Sequence, residues 1–212
     1  RREERPYSPT AATPQRETGN SAVRLTKTPP RTNATLEQAY DTLQAGRLDD
    51  AQRGYEQVLR SDAKNTDALL GLATVAAQQG QTEKAQAFYL RALESNPTDA
   101  TAQAGVISTR GQADADFAES RLKTALASQP DSPALLFALG NLYARQGRWS
   151  EAQQVYFRTY GTEPDNPDFI FNLAVSLDHL RQNKLAGQYY HIALTAGETR
   201  TVSFDRDQAR AR

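Results

Sequence analysis

The sequence predicts an all-α solenoid, a stack of helix-turn-helix units with a capping helix at the C-terminal end. Three observations carry that expectation. Residues recur every 34 positions: Gly46 returns as Gly80, Ala51 as Ala85 and Tyr55 as Tyr89, and Ala118, Ala152 and Ala186 keep the same step further on. From residue 33 apolar and small residues fall at three- and four-residue spacing, the period of a helix with one buried face. Breakers stand at regular places, in Asn96-Pro97, Gln129-Pro130 and Glu163-Pro164, where proline removes a backbone donor and ends the helix before it. A fixed period of this size marks an array whose units bury their apolar faces only against their neighbours. No alternating run long enough to suggest a strand interrupts it.

Taken in order, residues 1–32 form the first element, a basic Pro-rich linker. Seven basic residues, among them Arg1, Arg2 and Arg31, face Glu3, Glu4 and Glu17, a net charge of +4. Pro6, Pro9, Pro14, Pro29 and Pro30 lie among Thr, Ser and Ala. With so little apolar surface to bury, the segment is expected to stay extended or disordered. The chain holds no methionine, so it is expected to be a processed or shortened form whose N-terminal anchor or further domain lay upstream.

The solenoid is expected over 33–199 in five units, about 32–65, 66–98, 99–132, 133–166 and 167–199. Ala39, Gly46, Ala51 and Tyr55 identify the first, and Ala174, Ala186, Tyr190 and Ala193 the fifth, with Arg181 where a turn glycine would stand. The third departs most, because Gly111 comes too early for the usual turn, and its first helix is expected to be short. Residues 200–212 supply the capping helix, with Phe204 packing inward; it stops abruptly at Arg212, as a truncated helix would.

Two units carry a fuller code. Leu139-Gly140, Tyr143, Gly147, Ala152, Tyr156 and Pro164 form one, and Leu72-Ala73, Gly80, Ala85, Tyr89, Ala92 and Pro97 the other. Small residues where two helices cross let the backbones approach, and the aromatic fills the space beside them. This pattern resembles the tetratricopeptide repeat (TPR) family. The resemblance implies a right-handed α-solenoid whose first helices line a concave groove, and a non-enzymatic function of holding a protein partner. A basic Pro-rich segment ahead of Gln- and Ala-rich repeats further resembles, in layout, the periplasmic TPR proteins of mannose-sensitive haemagglutinin-type type IV pilus biogenesis. That likeness implies a scaffold of pilus or secretion-machine assembly, periplasmic and anchored to the inner membrane through a segment missing from this chain. A regulatory or substrate-binding module of a larger cytoplasmic or envelope protein is the alternative.

Carrying the groove positions over residue by residue gives Leu36, Tyr40 and Leu43 from the first unit, and Leu70 and Thr74 from the second. The fourth unit contributes Phe137 and Asn141, and the fifth Phe171, Val175 and Asp178. Such a groove is apolar with a few polar fixings and suits a partner helix or peptide, with aromatics as anchors. The carboxylate clamp known in the family is not expected, because the matching positions are mostly apolar and Asp67 and Asp168 have the wrong charge for it.

Other chemistry finds little support. Cysteine is absent, which excludes disulfides and thiolate sites. His179 and His191 have no partner at metal spacing, so catalysis, metals and cofactors are not expected. Overall charge is balanced and the basic residues at the start lack interleaved aromatics, so nucleic acid is not an expected partner. Glu83 and Glu151, near helix starts, read as favourable charge at helix N-termini. Trp149, placed in a turn, reads as packing between adjacent units.

Overall fold

The computed structural model describes residues 34–110, 114–199 and 202–212. The expected 1–32 linker and Gly111 lie outside them. Among the described residues all regular structure is helical, in five antiparallel pairs and a short last helix. The pairs are α1 (Ala34–Gln44) with α2 (Leu48–Ser61), α3 (Thr66–Gln78) with α4 (Thr82–Ser95), α5 (Ala100–Arg110) with α6 (Ala115–Ser128), α7 (Pro133–Arg145) with α8 (Trp149–Thr162), and α9 (Pro167–His179) with α10 (Asn183–Ala196); α11 (Arg206–Arg210) follows. Each helix packs on the next along the chain, the arrangement of an α-solenoid.

Local chemistry sets the boundaries. The first helix of each later pair starts at a capping side chain: Asn65 accepts from the Ala68 N–H at 3.0 Å, Asp99 from Ala102 at 2.8 Å, Ser132 from Leu135 at 3.4 Å and Asn166 from Phe169 at 3.4 Å. Each satisfies a donor that the first turn leaves orphaned. Four first helices, α1, α3, α7 and α9, end with a left-handed residue. Gly46, Gly80 and Gly147 have φ near +72°, and Arg181 takes the same conformation at φ 60°. There the N–H groups fold back onto carbonyls of the last turn, as Arg148 does to Tyr143 at 2.9 Å and Gln182 to Leu177 at 2.9 Å, closing a Schellman turn. Pro97, Pro130 and Pro164 stand just beyond the caps Asn96, Gln129 and Glu163 that end α4, α6 and α8.

Small residues hold the layers together. A Cβ at Gly140 would come within 2.5 Å of the Tyr156 ring, and one at Gly105 within 2.5 Å of Tyr89. Gly71 lies just as close against Tyr55. The buried core is continuous from Ala104 in α5 through Leu135, Leu136, Tyr156, Leu173 and Tyr190 to Ala209 in α11. A separate cluster fills α1 to α3 around Ala39, Tyr55, Val58 and Leu72. Between them Leu69, Ala92 and Ala102 form a smaller joint.

The third pair is the irregular one. α5 is described over 11 residues, as is α1, where α3, α7 and α9 have 13. A network fastens it to the fourth pair: Arg148 Nη1 meets Glu119 Oε2 at 2.6 Å, Lys123 Nζ meets Glu119 Oε1 at 2.6 Å, and Tyr143 donates to Oε1 at 3.1 Å. Arg148 also pairs with Glu151 and lies over the Tyr143 ring, 4.2 Å from its centroid. Hydrogen bonds from Arg148 and then Lys123 hold the Glu119 carboxyl down at about 2. Trp149 is the first residue of α8, one step past the turn where the sequence placed it, and it stacks on His179 of α9 at 3.6 Å between ring centroids.

Candidate partner-binding groove

The turn geometry sets α1 beside α3 with one face of each open. Between them runs a groove of about 650 Å³, lined by Leu36, Tyr40, Leu43, Leu70 and Thr74 together with Glu37, Asp41, Asp67, Gly71 and Tyr55. All five groove residues expected from the first two units therefore line one opening. They do not contribute equally. Tyr40 is 56% exposed and stands over the groove, whereas Leu43 at 7% belongs to its floor. Leu36 and Leu70 are half-buried, and Thr74 spends its hydroxyl on the Leu70 carbonyl at 3.0 Å. Gly71 keeps the floor low and leaves room for the Tyr55 ring. Burial pushes the Tyr55 hydroxyl up to about 12, with Tyr40 and Asp67 adding to the shift, so it stays neutral at physiological pH.

The expected residues of the last two pairs are arranged differently. Phe137 packs against Phe169 at 4.9 Å and Tyr156 at 6.0 Å. Phe171 lies between Tyr190 at 5.6 Å and Phe204, on which it stacks at 4.3 Å with the rings 4° from parallel. Asp178 accepts from Tyr190 and is ion-paired with Arg212 at 3.0 Å. Asp168 accepts from the Ser203 N–H at 2.7 Å and from its hydroxyl at 2.9 Å. The segment after α10 thus holds Asp168, Phe171 and Asp178 of α9, with Phe204 turned inward. Asn141 accepts from the Tyr156 hydroxyl at 2.7 Å and, with Val175, lines a shallow pocket of about 330 Å³ beside Arg145 and Trp149.

Two further openings lie elsewhere among the described residues. Tyr40, Gln44 and Ala45 share a cleft of about 680 Å³ with Glu163, Asn166, Pro167, Asp168 and Thr199. Another of about 370 Å³ separates α5 from α6; Arg121 lines it, and the Oε1 of Gln103 there has no hydrogen-bond partner. Among the described residues no group of three or more His, Cys, Asp or Glu side chains is placed to hold a metal ion. No described helix is long and apolar enough to cross a membrane.

A family model described as tetratricopeptide repeat matches residues 42–106 and 110–169, more than half of the chain. The chain belongs to the tetratricopeptide repeat family. As a TPR protein it is a protein–protein interaction module. No curated protein matches it in sequence. Solved structures do match in fold. A thermophilic TPR protein of Thermus thermophilus, TTC0263, is 20% identical with a TM-score of 0.70 over 84% of this chain and 95% of its own. PilW, a widely conserved type IV pilus biogenesis factor, is 22% identical with a TM-score of 0.58 over 79% of this chain and 78% of its own.

Sequence reasoning missed two features. One is the capping ladder of Asn65, Asp99, Ser132 and Asn166, which its near-34 spacing would have revealed. The other is the grouping of Glu37, Asp41 and Asp67, which needs α1 and α3 side by side.

Proposed function

We propose that this TPR protein is a non-enzymatic scaffold that seats a helix or peptide of a protein partner on the α1–α3 groove. The observation that carries this is Tyr40, a large aromatic left more than half exposed at 56% over the apolar bed of Leu36 and Leu70. An amphipathic aromatic on a preformed apolar groove is the usual anchor of such recognition. Asn141 and Val175 line a separate pocket, and Phe137, Phe171 and Asp178 are engaged within the last two pairs, so none of the five takes part in this contact.

The reading extends to the assembly of a type IV pilus or a related secretion machine. The fold likeness to PilW supports it, together with the basic Pro-rich segment ahead of the repeats. The location is then the bacterial periplasm, with the full-length protein held at the inner membrane by a segment upstream of Arg1.

The test places a photoreactive amino acid at position 40 of the full-length protein in its native cell and identifies what it captures. Pilus or secretion components, lost when Leu36 and Leu70 are changed to Ser, support both parts. Capture of cytosolic regulators keeps the groove and removes the pilus reading. No adduct in cells whose protein is folded and abundant removes the groove itself.

A further inference from the structure

We infer that the groove selects a basic amphipathic protein segment, an apolar anchor flanked by Lys or Arg, an inference that rests on the groove reading above. Every charged side chain lining the α1–α3 groove is acidic: Glu37, Asp41 and Asp67. None of the three forms an ion pair among the described residues, although Asp50, Glu119, Glu151, Asp178 and Asp207 all do. The adjoining cleft that Tyr40 also borders adds only acids, Glu163 and Asp168. Elsewhere the openings carry cations instead, Arg145 beside Asn141 and Arg121 in the third pair. Among these openings, a charged lining that is wholly acidic is found in the two that Tyr40 borders.

Stability does not require that arrangement. Glu37 and Asp67 lie in first turns, where negative charge favours a helix. Asp41 has no such role, and four residues after Glu37 it adds like-charge repulsion on one helix face. Carboxylates at the edge of an apolar groove would meet the ammonium or guanidinium groups of a partner whose apolar face fills the bed, raising the rate of encounter and excluding acidic segments. The Tyr55 hydroxyl beneath is neutral and contributes no opposing charge.

The experiment selects binders to the whole chain from a displayed library of amphipathic 15-residue peptides whose polar positions are Lys, Gln or Glu. It then measures affinity for wild type, for Tyr40→Ala and for a triple variant, Glu37→Gln with Asp41→Asn and Asp67→Asn. Enrichment of Lys is expected. The triple variant should bind the selected peptide about tenfold more weakly, from roughly twofold per exposed ion pair, and lose most of the salt dependence. Enrichment of Gln or Glu, or an unchanged affinity in a triple variant whose circular dichroism and melting match wild type, overturns the charge inference alone. Selected peptides that bind Tyr40→Ala as well as wild type overturn the groove reading beneath it.

Discussion

The first two repeats and the last two place a large apolar residue at the same point of their first helices, Leu36 and Leu70 against Phe137 and Phe171, and the side chains around it differ. In the first half the position is half-buried at the wall of an open groove, and Tyr40 stands 56% exposed beside it. In the second half the position is also half-buried, but its ring packs on aromatic partners: Phe169 and Tyr156 beside Phe137, Tyr190 and Phe204 beside Phe171. The lesson is that register identifies the inner face of a TPR helix but does not make it a binding face. A groove position becomes available only where the neighbouring helices leave it uncovered, and aromatic rings, which gain most from burial, are the first to be covered.

The largest effect expected from this contrast concerns stability. Tyr156→Ala removes a ring that is 1% exposed, packed on Gly140 and bonded to Asn141, and should cost about 3–5 kcal/mol in denaturant unfolding. Tyr40→Ala, at the surface of the other half, should stay within about 0.5 kcal/mol of wild type. A Tyr40 variant that melts as low as the Tyr156 variant would erase the distinction between the two halves.

Next comes the stack that holds the segment after α10. Phe171→Ala and Phe204→Ala should each destabilise, and the double variant should lose less than the sum, with a coupling of about 0.5–1.5 kcal/mol. Strict additivity in that cycle would show that Phe204 does not rely on Phe171, and would return Phe171 to the candidate groove.

The pH response should also divide the molecule. The Glu119 carboxyl is held low, at about 2, and its side chain is only 15% exposed. A depressed acid stabilises the fold fully above its unfolded value, and that stability is lost as pH falls from the ordinary carboxylate range toward 2. Glu119→Gln should therefore flatten the fall in melting temperature below about pH 4.5. An acid profile identical to wild type would mean that this network does not hold the third repeat to the fourth.

The smallest expected effect is a gain. Arg181 adopts φ 60° where the other described turns of its kind have glycine. Arg181→Gly should add about 0.5–1 kcal/mol by relieving left-handed strain, read as a small rise in melting temperature. A fall would mean that the Arg181 side chain stabilises the fold by more than its backbone costs.

Much of the architecture was legible because each repeat must reuse the same small residues, ring and proline to close against its neighbour. Arg181 in place of a turn glycine was visible for the same reason. Contacts set by position along the stack were not. Ser203 with Asp168 and Arg212 with Asp178 join residues 35 and 34 apart, and they need the segment after α10 to fold back on α9. The acids around Tyr40 were hidden because each alone has an ordinary reading, and their sum appears only when α1 lies beside α3. Phe137 and Phe171 looked equivalent to Leu36 and Leu70 because periodicity reports register and not cover.

The most direct measurement is hydrogen exchange of the whole chain, free and bound to a peptide or partner captured through position 40. Slowed exchange over 34–44 and 66–78, with 167–179 and 202–212 unchanged, is the expected footprint. Protection over 167–179, or accelerated exchange over 202–212 as that segment is displaced, would place the binding face in the last repeats and contradict the account.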